Sequence, residues 1–147
     1  MRKRLVLMVL TPLLIGTADA KPVLLRSTKT IDCEATSSNL EYTACWQQQA
    51  RKARSEADAA YARAQVVAEK SDLQGSYEGQ QRHWLGIPLR DSQTVWVRNL
   101  NRECRFERRI ARGGTGGQAL ESKCQYRLSH ERIDELESAV KLIEGNS

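Results

Sequence analysis

The sequence predicts an all-α protein, a small helical bundle of three to four helices stapled by two disulfides. Three observations carry this. Apolar residues recur in steps of three and four over long stretches, as in Ala50, Ala53, Ala57, Ala60, Ala64 and Val67, and no stretch gives a strand signal. Alanine is abundant while only 5% of residues are aromatic, which suits closely approaching helices better than a sheet with bulky inward faces. Four cysteines stand in two chain-adjacent pairs at spacings that suit local bridges.

Residues 1–20 have the three-part build of a secretory signal peptide. Arg2, Lys3 and Arg4 give a positive start, Leu5 to Ile15 an apolar middle, and Ala18-Asp19-Ala20 a small-x-small cleavage site. The apolar middle is interrupted by Thr11 and Pro12 and falls short of the roughly 20 residues that cross a bilayer, so removal after Ala20 is expected. No cysteine follows the cleavage site to take a lipid, and no later stretch predicts a membrane span. The expected location is periplasmic or secreted. What remains is one domain by length, with residues 21–31 as a flexible N-terminal arm and 32–145 as the helical domain. The formal net charge is +5; the leader holds Arg2, Lys3 and Arg4 against Asp19, a net of +2, so the mature chain keeps +3. That excess is too small to argue for nucleic acid, and export argues further against it.

In an exported chain the four cysteines read as two disulfides. Three connectivities are formally possible. Cys33 with Cys45 and Cys104 with Cys124 are favoured because each spacing suits a local hairpin or a helix-start staple. Zinc is the competing use, but no C-x-x-C pair occurs and His83 and His130 stand alone, so no metal is expected.

In chain order, Asp32 to Ala35 reads as a short turn, and Ser38-Asn39-Leu40-Glu41 as a capping box that opens a long helix. That helix carries the alanine stripe on one face and mixed charge on the others, including the i, i+4 pair Arg54 and Asp58. From Ser71 to Leu89 the breakers Gly75, Gly79, Gly86 and Pro88 predict a connection, with one helical turn around Gln81 to Leu85 and Trp84 packed over the core. A second helix is expected from Arg90 or Asp91, turning Trp96, Leu100 and Cys104 inward and gathering Arg105, Arg108, Arg109 and Arg112 at its C-terminal end, as the helix dipole prefers. Gly113 supplies a left-handed exit. The turn from Gly113 to Gly117 folds the run Leu120, Cys124, Leu128 back antiparallel. Ser129 either caps a fresh helix or sits within a continuous one, and Ile133, Leu136, Val140 and Ile143 form a stripe up to Gly145.

A search for chemistry finds no catalytic set. There is no G-x-S-x-G elbow and no H-E-x-x-H, and the cysteines serve better as bridges than as nucleophiles. The glycine run follows a helix and lacks the Lys-Ser or Lys-Thr ending of a phosphate loop, while Glu103 and Glu107 lack the shielded site a glycosidase acid needs. A non-enzymatic protein without a cofactor is expected.

Larger patterns narrow the class. Gln93-x-x-Trp96, then Cys104-Arg105-Phe106-Glu107, a Gly-Gly turn, Cys124 and Ser129-x-x-Arg132-Ile133-x-x-Leu136, together with Cys33, Glu41 four before Cys45, and Tyr61 sixteen after it, resemble the LprI-type lysozyme inhibitor family. The likeness spans Asp32 to Leu136. The chain departs from the family pattern at Leu100 and Asn101, where relatives usually carry Arg-Asp, and at Ala53 and Arg54, where Leu-Asp is frequent. The resemblance implies an exported bacterial envelope protein whose partner is a protein, lysozyme, which it binds and inhibits. The runner-up is a periplasmic or secreted accessory module with no inhibitory activity. Candidate partner-binding residues are Arg109, Arg112, Gly114, Thr115 and Gly116, which could enter a cleft lined by two carboxylates with arginine as the charge partner. The simpler alternative is a turn that only closes the hairpin. Common host lysozymes are basic, so a chain of net +3 has no long-range attraction to them, and binding would rest on local contacts.

Overall fold

The computed structural model of the chain describes residues 32–77, 84–112, 114 and 116–145, with 76 and 77 described in backbone only. The leader and arm expected over 1–31 lie outside the described residues. A 3-10 turn at Cys33–Ala35 is followed by three helices, α1 (Asn39–Tyr77), α2 (Gly86–Ile110) and α3 (Gly116–Gly145), with no strand among the described residues. Disulfides join Cys33 to Cys45 and Cys104 to Cys124, with Cα separations of 5.6 and 5.3 Å. Cross-helix pairs set the topology: Cys104–Cys124 and Gln93–Arg132 make α2 antiparallel to α3, while Arg63–Glu137 and Trp46–Tyr126 make α1 parallel to α3. The parallel pair α1 and α3 shares the most extensive interface, and α2 packs chiefly on α3.

The start of α1 follows its sequence signal. Ser38 Oγ accepts from the Glu41 amide at 3.2 Å, and the Ser37 hydroxyl donates to the Glu41 carboxylate at 2.9 Å. That hydroxyl first, and the Ser38 hydroxyl second, hold the Glu41 carboxyl below its ordinary range. Ala50, Ala53, Ala57, Ala60 and Ala64 are all buried, and the stripe continues at Ala68, not at the half-buried Val67. Their short side chains let α3 come close enough for Leu136 to fill the space beside Ala60 and Ala64, bordered by Tyr61, Leu89, Ile133 and Val140. A second cluster joins Leu100 to the Cys104–Cys124 sulfurs, with Trp96 and Leu128 at its edge.

Four expectations change. First, α1 runs through Gly75 to Tyr77 where a connection was expected; Gly75 is buried, and one glycine in a helix costs only about 1 kcal/mol, which tertiary contact outweighs. Second, α2 begins at Gly86 instead of Arg90 or Asp91. The reason lies on another helix: Asp72 of α1 accepts the Leu85 amide at 2.8 Å and the Gly86 amide at 2.9 Å, capping α2 and placing an anion at its N-terminus. Pro88 falls in the first turn, where its missing amide is harmless. Third, Trp84 is 62% exposed, not packed over the core. With the helix start moved back to Gly86, Leu85 and Leu89 turn inward and Trp84 stays outside, in the turn that remains of the helical turn expected at 81–85; its first three positions lie outside the described residues. Fourth, Leu120 is exposed, and Gly117, Ala119 and Ser122 face inward in its place. The inward positions at this end of α3 are small, and at Gly117 even a Cβ would crowd the Arg108 carbonyl of α2. Ser129 sits inside one continuous α3 and is fully buried.

Asp72→Ala leaves two amides at the half-buried start of α2 without this acceptor and is expected to lower stability by about 1 kcal/mol. Urea unfolding followed by helical circular dichroism checks this; an unchanged midpoint would show the cap to be dispensable.

Candidate functional site

The hairpin end where α2 hands over to α3 gathers most of the residues nominated from sequence. The turn is built from successive i to i+3 bonds, the Arg112 amide donating to the Arg109 carbonyl at 2.9 Å, that of Gly114 to Ala111 at 3.0 Å and that of Gly117 to Gly114 at 3.0 Å. Arg112 is left-handed, at φ 49°, and the left-handed exit expected of Gly113 lies outside the described residues. Gly113 and Thr115 lie outside the described residues; Gly114 and Gly116 are exposed, as are Arg109 and Arg112. Gly116 and Gly117 already belong to α3. A Cβ on Gly117 would stand 2.9 Å from the Arg108 carbonyl oxygen, so this glycine serves the close approach of two helix ends.

Arg109 lines a shallow groove of about 310 Å³ together with Arg105, Arg108 and Glu121. Arg108 bonds Glu121 across the hairpin at 3.1 Å, and Arg127 bonds Glu107 at 3.0 Å. Glu121 escaped the sequence reading, although the signal was there. Once Cys104 pairs with Cys124, antiparallel counting puts Arg108, four residues on, opposite Glu121, three residues back. Part of the cationic end is thereby neutralised within the hairpin, while Arg109 and Arg112 show no acidic partner among the described residues. Such free guanidinium groups can form bidentate bonds with a carboxylate or phosphate.

The residues of the wider sequence pattern meet elsewhere, between the three helices. Arg132 is buried, and its Nε donates to Gln93 Oε1 at 3.1 Å, one terminal nitrogen to Ser92 Oγ at 3.1 Å and the other to Glu135 at 3.0 Å. Trp96 receives two guanidinium groups, with Arg54 Cζ 5.1 Å and Arg132 Cζ 5.9 Å from the ring centroid. Leu100 fills core space beside the disulfide. Arg132 and Gln93 are buried at its centre while Ser92 and Glu135 reach solvent at its edge, and the constellation ties α1, α2 and α3 together.

A third cluster ties the N-terminal turn to the bundle. Lys123 Nζ lies 5.0 Å from the rings of both Tyr42 and Trp46 and 2.8 Å from Glu34. The Lys123 hydrogen bond holds the Glu34 carboxyl below its ordinary range, and Glu34, then Tyr42, raises the Lys123 ammonium. Tyr126 bridges Trp46 and His130 edge to face. Among the described residues no group of three His, Cys, Asp or Glu is placed to hold a metal ion, and no helix is long and apolar enough to cross a membrane.

Comparison with curated proteins and with solved structures returns no match. A family model described as "Lysozyme inhibitor LprI" does match, over residues 32–136. That span takes in both disulfides, the Gln93–Trp96–Arg132 constellation and the hairpin end, which is most of the chain. The protein belongs to the LprI lysozyme inhibitor family.

Proposed function

We propose that this is an exported, non-catalytic protein of the bacterial envelope, periplasmic or secreted, that binds and inhibits lysozyme through the α2–α3 hairpin end. The observation that carries the reading is family membership across nearly all of the described fold. The geometry supports a contact at Arg109, Arg112, Gly114 and Gly116, and Thr115 joins the proposed set by its place in the chain between the two glycines. The first two present exposed cations with no acidic partner among the described residues, and the glycines keep the neighbouring backbone slim enough to enter a cleft. A glycosidase cleft lined by two carboxylates offers the matching charge, and desolvation there strengthens each guanidinium–carboxylate bond. The Cys104–Cys124 bridge, below the tip, holds the two helix ends together so that little order has to be gained on binding.

Titration of the purified protein into lysozyme acting on a cell-wall suspension tests this. Dose-dependent slowing is expected, with R109E/R112E weaker by roughly tenfold or more, the scale of a binding hot spot. Unchanged turnover at tens of micromolar, with no complex on sizing, sinks the inhibitor reading and leaves an accessory module with another protein partner.

A further inference from the structure

The outward face of α2 carries a row of cations that the core does not use and that meets the proposed lysozyme contact only at its last member, Arg109. Arg98, Arg102, Arg105 and Arg109 follow one another in steps of four, three and four, which on a helix stacks them in a single row about 16 Å long. All four are exposed. None has an acidic partner among the described residues, whereas Arg54, Arg63, Arg108, Arg127 and Arg132 each have one. Like charges at these spacings repel and weaken a helix. The helix dipole favours cations in the last turn only, so it accounts for Arg109 and not for Arg98 or Arg102. The row therefore works against the stability of α2.

Beside it stand three large apolar side chains in water: Val95, Phe106 and Ile110 are 50%, 64% and 61% exposed. Phe106 and Ile110 are one helical turn apart and lie along the same flank of the row. The carboxylates of the same stretch are turned elsewhere. Glu107 bonds Arg127 of α3 at 3.0 Å, and Glu103 lies on the side of Phe106 and Ile110 away from the arginines. Because α2 packs chiefly on α3, nothing among the described residues covers this face.

We propose that the outward face of α2 docks on an anionic lipid surface, with the arginine row on the headgroup phosphates and Val95, Phe106 and Ile110 at the boundary with the acyl chains. A row of guanidinium groups flanked by exposed apolar side chains matches what an amphipathic helix presents when it lies in the plane of a membrane. Guanidinium pairs bidentately with phosphate, and its long stem lets the charge stay at headgroup level while its own methylenes sit deeper. A soluble polyanion would satisfy the arginines and leave Phe106 and Ile110 in water. A bilayer takes both. The proposal goes beyond lysozyme inhibition and does not depend on it, since Arg98, Arg102 and Arg105 lie outside the contact proposed for lysozyme.

Co-sedimentation of the full chain with vesicles, in the absence of lysozyme, tests it. One set of vesicles is phosphatidylcholine alone and the other contains phosphatidylglycerol as well. R98E/R102E/R105E and F106S/I110S variants of the same chain are run alongside, so that any membrane affinity of residues 1–20 is common to all. The wild type is expected to bind the anionic vesicles roughly tenfold or more tightly than the neutral ones. R98E/R102E/R105E loses that preference, and F106S/I110S loses affinity several-fold at unchanged charge. An F106W chain adds a second reading, an emission shift to shorter wavelength on anionic vesicles. All these positions are exposed, and an unchanged thermal melt verifies the fold. Equal binding by wild type and R98E/R102E/R105E overturns the proposal, as does the absence of an emission shift. Undiminished binding by F106S/I110S, with long-chain polyphosphate bound as tightly as vesicles, overturns it in favour of a soluble polyanion.

Discussion

Replacing Cys104 and Cys124 together by serine is expected to cost the fold about 3 kcal/mol, the loop-closure entropy returned to the unfolded chain when a bridge of this span is lost. The bridge closes a separation of 20 residues, and its sulfurs are buried against Leu100, so each new hydroxyl also enters an apolar site. A thermal melt should fall by more than about 10 °C for a domain of this size. The C33S/C45S pair is the informative contrast. Its bridge closes a separation of 12 residues and fastens only the 3-10 turn to α1, so the main transition should move less. If the C104S/C124S melt moved no further than that of C33S/C45S, the hairpin staple would not be the element on which the bundle depends.

Leu136→Ala is expected to destabilise by about 3 kcal/mol, within the range for truncating a buried leucine. Leu136 is 2% exposed and sits where α1, α2 and α3 converge, between Ala60 and Ala64 and beside Leu89. Those alanines have no length with which to close over the void, so the cavity term should be largely retained. Leu142→Ala is the internal control, because Leu142 on the same helix is 68% exposed and its removal should change stability little. Urea midpoints for the two variants decide the point. Equal losses would mean that the stripe of small residues does not form the seam of the bundle.

Much of this architecture is legible in the order of residues along the chain. The steps of three and four identify the helices, the alanine stripe selects the buried face of α1, and Ser38 with Glu41 marks its start. Chain-adjacent pairing of the cysteines sets the hairpin and, through it, the neighbourhood of the basic end that contains Arg109 and Arg112. Each of these signals lies within one element or one short loop, where the spacing of residues along the chain is also their spacing in space.

What the chain alone determined is therefore its local order: helices, their apolar sides, the two bridges and the cluster of arginines at one end. The three-dimensional packing decided the rest. Asp72 sets where α2 begins from 14 residues away along the chain; Gly117 is required because the Arg108 carbonyl comes so near; Arg132 is buried because Gln93, Ser92 and Trp96 meet it from another helix. Leu120 and Trp84 face water although their residue types favour burial, because the space and caps around them are supplied by distant segments. The physical reason is common to all five: a cap, a close approach and a buried charge are properties of pairs of surfaces, and periodicity along one strand of chain describes only one of the two.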